Sequence, residues 1–260
     1  MKKTLIALAV AASAVVSGSA MAAGWEQNGT GGSVNMGGSL TPVEKVTPWE
    51  VKTGAAVTGL DAQIQKGQKV VDVAVNKAIP VLGIRTIAST AFQGQPGISP
   101  QVDYGNAVNV DAFENGRAPV TLDVKDDTNT KIGTLTTSMG ASALVSIKNN
   151  SGGFNGYYHF YADKVGYGFF GGLPKNKENT PDEDIALRVM PEIAAHYVDQ
   201  ELSHSNVNRG TAFENPEDTY SGYYGAGIEQ GKTIKITLDQ PAGADAIKWK
   251  ASLPVTVSYQ

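Results

Sequence analysis

Short runs in which every second residue is apolar recur along most of this chain, and they constrain its fold more than any other feature. Residues 69–75 set Val71, Val73 and Val75 on one face. Residues 119–125 do the same with Val120, Leu122 and Val124. Ala143, Val145 and Ile147 repeat the pattern, as do Ile234, Ile236 and Leu238, and finally Leu253, Val255, Val257 and Tyr259. A spacing of two puts side chains on one face of an extended strand. Residues 79–84 form a short apolar run, and 106–110 place Val108 and Val110 together. Residues 126–129 are polar and turn-like, with 131–137 as a returning hairpin arm. Strands this short, set off by turns and accompanied by thirty glycines, predict an all-β sandwich.

The N-terminus has the three-part layout of an export signal. Lys2 and Lys3 are followed by an apolar run from Leu5 to Val16, then by small residues ending at Ala22. Cleavage is expected between Ala22 and Ala23, and the run is too short to span a bilayer. The chain has no cysteine, which excludes disulfides, thiolate metal sites and cysteine nucleophiles. Its formal charge is −4, or −6 without the two leader lysines, and it has no basic run. Nucleic acid is therefore not an expected partner.

Residues 23–41 are glycine-rich, but within them Val34, Met36 and Leu40 share one face of an extended segment, with Gly38 filling the intervening position. Residues 149–220 break the sandwich pattern. A Gly/Tyr/Phe-rich piece leads into a helical one with Thr180 as N-cap, Pro181 in first position and Glu183 three after the cap. Ile185, Val189, Ile193 and Tyr197 form the helical stripe. Pro191 interrupts it, predicting a kink or two short helices. This region is expected to be an insertion on the sandwich.

No residue set calls for catalysis. His159, His196 and His204 lack a zinc spacing and are expected to be unpaired surface histidines. Asp182, Glu183 and Asp184 suit a first helical turn. No cofactor or metal site is expected. The aromatic block does suggest a glycan site, since rings with a polar tip stack on sugar C–H faces. Its candidates are Tyr157, Tyr158, Phe160 and Tyr161, joined by Tyr223 and Tyr224. Alternate members could instead face the core. The two ends of the chain form the more specific pair: a leashed strand that can be donated, and a terminal strand that can serve as an edge for another protein.

These features resemble the kappa-class chaperone–usher fimbrial subunits of enteric bacteria. The likeness runs through the leader and through Gly32-Ser33-Val34-Asn35-Met36-Gly37-Gly38-Ser39-Leu40. It continues in Trp49-Glu50-Val51-Lys52-Thr53-Gly54, Leu202-Ser203-His204-Ser205-Asn206 and Gly225-Ala226-Gly227-Ile228, and ends with residues 249–259. It implies a signal peptide at 1–22, a donor-strand extension at 23–41 and an immunoglobulin-like domain at 42–260 with its insertion at about 149–220. The sandwich would be incomplete, lacking its last strand and completed by donor-strand exchange. A periplasmic chaperone would pair with the strand from Leu253 to Tyr259. At the outer-membrane usher, a neighbouring subunit's Val34, Met36, Gly38 and Leu40 would replace it. The assembled fimbria would be displayed on the cell surface and would bind a host glycan receptor. Many such subunits carry a glycine fourteen residues from the C-terminus, where this chain has Ile247. The alternatives are a minor fimbrial subunit without receptor binding and a secreted monomeric lectin. A periplasmic glycan hydrolase would need a carboxylate pair flanking a cleft, and the sequence names none.

Overall fold

The computed structural model describes positions 25, 27, 28, 30, 34, 36–41 and 46–260. The expected leader and its expected cleavage position at Ala22 and Ala23 lie outside the described residues. The chain divides into two units, at Met1–Glu44 and Lys45–Gln260. In the first, Val34 and residues 36–41 have no regular secondary structure.

The second unit is nearly all β. Its spine is β7 (Lys131–Asn149), nineteen residues long. The sequence predicts two strands here, at 131–137 and 143–147. They are one, because Ser138 to Ser142 pair without interruption on at least one side. The first half of β7 pairs with β6 (Arg117–Lys125) and β10 (Thr233–Leu238). The second half pairs with β8 (Asn155–His159) and β9 (Asp218–Ile228). Beyond β9 lie β3 (Ile79–Thr86) and then β1 (Trp49–Thr53); beyond β10 lies β2 (Val70–Ala74). A two-residue strand, β4 (Phe92–Gln93), also pairs with β9. A separate sheet joins β5 (Pro100–Asp103) to β11 (Thr256–Tyr259) and forms the second layer of an immunoglobulin-like sandwich.

The pairing follows the predicted alternation. In β10, Ile234, Ile236 and Leu238 are buried and the threonines and lysine between them are exposed. In β2 and just beyond it, Val73 and Val75 are buried. The hairpin between β6 and β7 turns on Asp126, whose Oδ1 accepts from the backbone N–H groups of Thr128 and Thr130, with Asn129 at φ 65°. Residues 106–110 depart from expectation. Val108 makes one bridge to Val120, and the chain then turns into a 3-10 helix at Val110–Ala112.

One core lies between the large sheet and the β5–β11 pair. Leu82, Ile84, Ala143, Val145 and Tyr224 meet Val102, with Val257 and Tyr259 packed against them. The helical stretch is two short pieces on the other face of β9, separated by Pro191: α1 (Ile185–Val189) and a 3-10 helix at Ile193–His196. Ile185, Val189 and Ile193 are buried there with Tyr223, and Tyr197 packs alongside. The helix starts later than predicted. Asp184 is its N-cap, accepting from Leu187 N–H at 3.1 Å, while Thr180 closes a separate 3-10 turn at Lys177–Asn179. Gly225 allows the close approach of α1, because a Cβ there would sit 2.7 Å from that of Ala186. Among the described residues, no helix is long and apolar enough to cross a membrane.

Candidate functional site

An apolar groove of about 1260 Å³ opens along one side of the sandwich. Its floor comes from alternating residues of β2, β7 and β10, among them Val73, Leu135, Ile234, Ile236 and Leu238. Residues 53–64 line one flank and residues 242–251, with Leu253 and Val255, the other. Leu60, Ile64, Trp249 and Ala251 pack partly against the floor.

What distinguishes these flanks is their main chain. Among the described residues, 55–64 make no backbone hydrogen bonds, and neither do 243–249 or 251–255. Lys250 is tied to Lys125 by a mutual pair, and the last residues pair with β5. Yet from Ala251 to Gln260 burial alternates strictly, half-buried then exposed. Leu253, Val255, Val257 and Tyr259 all turn inward to the core. Only Val257 and Tyr259 fall within β11; Leu253 and Val255 continue its line without a strand partner. An extended segment with its side chains seated and its N–H and C=O groups unpaired is a template for strand addition.

The chain's other alternating segment has the complementary character. Val34, Met36 and Leu40 are 85%, 93% and 100% exposed, and Gly38 is open on all sides. Three large apolar side chains so close together rarely stand fully in water without a binding role.

The aromatic candidates divide differently from expectation. Tyr158, Phe160, Tyr223 and Tyr224 are buried, which corrects their assignment as glycan contacts. Tyr158 and Phe160 alternate onto the core face of β8, and Phe160 stacks on Phe213 at 6.0 Å. Tyr224 shares a 2.6 Å hydroxyl contact with Tyr104 and donates to Gly172 O, while Tyr223 donates to Asp184. Burial pushes the pKa of both hydroxyls far up, with Asp184 adding to the effect on Tyr223 and Tyr104 to that on Tyr224. Tyr157 and Tyr161 remain half-buried at the surface.

The histidines are also not free surface groups. His196 Nδ1 meets Thr86 O at 3.0 Å and Glu50 at 3.3 Å. His159 packs edge-on against His204 at 5.5 Å, and burial, then His204, lowers its pKa. Among the described residues, no cluster of His, Asp and Glu could hold a metal ion.

The sequence pattern of the family described as "Fimbrial, major and minor subunit", of the K88 type, matches residues 1–260. This chain belongs to that family. K88 fimbrial protein AC of Escherichia coli is 30% identical to it over 287 aligned positions, spanning the whole of both chains. The F41 fimbrial protein of the same organism is 28% identical, again over the whole of both. The K88 minor fimbrial subunit FaeI is also 28% identical, covering 88% of this chain and 89% of the relative. As a K88-type fimbrial subunit, the protein is a structural component that assembles with other fimbrial subunits into surface appendages.

Of the groove's flanks, only Leu253 and Val255 were legible in the sequence, through the C-terminal alternation. Residues 55–64 carry no strict alternation, and only their position over the β2–β10 floor gives them meaning. The alternation within β2 and β10 was the available signal.

Proposed function

We propose that this K88-type subunit polymerises by donor-strand exchange, with the segment around Met36 of one copy lying in the groove of the next. The observation that carries the reading is the unpaired main chain, at 55–64 and at 243–249 and 251–255, on both sides of an apolar floor. A donated strand would satisfy those groups. Val34, Met36 and Leu40 would each contribute about 1.5–3 kcal/mol by leaving water, and Gly38 would pass where a side chain does not fit. Before assembly, a periplasmic chaperone would pair with the strand from Leu253 to Tyr259, and exchange would take place at the outer-membrane usher. Deleting residues 33–40 is expected to leave a chain that still reaches the periplasm but yields no fibres by electron microscopy. Met36→Asp should act in the same way, because it would bury a charge among aliphatic side chains. Normal fibres from either variant would refute the assignment.

The subunit is also proposed to be adhesive, with a host glycan bound at the surface of the 149–220 region. What favours this is that Tyr157 and Tyr161 of the same region remain partly exposed and that Phe154 is 55% exposed.

A further inference from the structure

Of the four arginines in the chain, Arg209 alone makes no ion pair and no side-chain hydrogen bond among the described residues. Arg85 pairs with Glu50, while Arg117 and Arg188 share Glu183 and Glu229. Arg209 Nε is buried without a partner, and its Cζ lies 3.3 Å from the ring centroid of Phe154 and 5.6 Å from that of Tyr158. Arg209 as a whole is half-buried, so part of the residue is open to solvent. A guanidinium stacked on an aromatic ring and stripped of part of its water seeks an anion, and its planar fork matches carboxylate and sulfate oxygens.

The group is also held in place. Arg209 N–H donates to His159 O at 2.9 Å, and its carbonyl accepts from Tyr161 N–H at 3.0 Å. The loop that carries Phe154 is pinned by Asn149, whose Oδ1 accepts from the N–H groups of Ser151 and Gly153. Carboxylates of the same neighbourhood are engaged elsewhere: Asp218 accepts from Asn149 and Tyr220, and Glu217 from Ser151.

We infer that Arg209 and Phe154 form a subsite for the acidic group of a glycan, a carboxylate or a sulfate, with the sugar's apolar face against Phe154. This rests on the adhesive reading above and names the class of sugar it serves.

Fibres of this subunit would be titrated with N-acetyllactosamine, its 3′-sialylated form and its 3′-sulfated form. At least one acidic form is expected to bind about tenfold or more tighter than the neutral one, as a charge-assisted pair implies, and the two acidic forms separate carboxylate from sulfate. Arg209→Gln should abolish that preference, Arg209→Lys should restore part of it, and Phe154→Ala should weaken all three sugars. Fibre formation and the unfolding midpoint report separately on folding. Equal binding of neutral and acidic sugars, or an acidic preference that survives Arg209→Gln in folded fibres, would overturn the subsite and leave adhesion standing. Failure of every sugar to bind would overturn both.

Discussion

Tyr224 shows how far a single residue's role depends on what covers it. Its hydroxyl is held by Tyr104 and Gly172 O, and its ring stacks on Phe169 at 5.4 Å. Tyr224→Phe would leave the buried Tyr104 hydroxyl without a partner. A loss of about 1–3 kcal/mol in urea unfolding is expected, with no selective loss of glycan binding. The sequence places Tyr158, Phe160, Tyr223 and Tyr224 in an aromatic block that suits either a sugar platform or a core. Alternation says that neighbours oppose each other, but not which face another element will cover. His159 follows the same logic. His204 packs against it and Asp182 and Asp184 act on it at longer range, and burial dominates in lowering its pKa. The unfolded chain therefore takes up a proton before the folded one does. Stability held by the neutral ring is complete above about pH 6.5 and is lost as pH falls from there toward the depressed folded value. Between about pH 7.5 and 5.5 the denaturation midpoint should fall, and less so in His159→Gln.

Elements were legible where one face is wet. The alternation of β10 and β6 carries straight into their burial, and Pro191 divides the helical stretch as proline chemistry requires. β9 was not legible as a strand. Its Asp-Thr-Tyr-Ser-Gly-Tyr-Tyr-Gly-Ala-Gly-Ile run is buried on both faces, so it has no polar alternation, and its glycines read as loop. They are there because α1 and β3 press close: a Cβ at Gly227 would sit 2.5 Å from Ile79 O. The attachment of α1 depends heavily on Asp184, which caps Leu187 N–H, accepts from Ser142 Oγ at 3.2 Å and receives the Tyr223 hydroxyl. Asp184→Ala should lower stability by about 2–4 kcal/mol, the sum of a lost cap and an orphaned buried hydroxyl. Asp184→Asn, which keeps the cap acceptor, should cost less. Denaturant unfolding of the three proteins checks both.

At the scale of the whole molecule, the proposed donor-strand exchange implies that an apolar floor flanked by unpaired main chain gains stability from a partner strand. A chain lacking residues 23–41, given a synthetic peptide of residues 32–40, should unfold more than about 5 °C higher than alone, whereas a peptide carrying Met36→Asp should have no effect. The alternation by itself determined that this protein is built of strands and which side chains of β2, β6, β10 and the C-terminal segment face inward, because a period of two is a local property of extended backbone. It also marked Val34, Met36 and Leu40 as one apolar face. Only the tertiary structure decided that β7 is a single spine, that most of the aromatic block is core, and that residues 55–64 and 243–255 border a groove. Those outcomes depend on which distant segments come to lie against each other, and no local pattern encodes what will cover a face or leave a backbone edge unpaired.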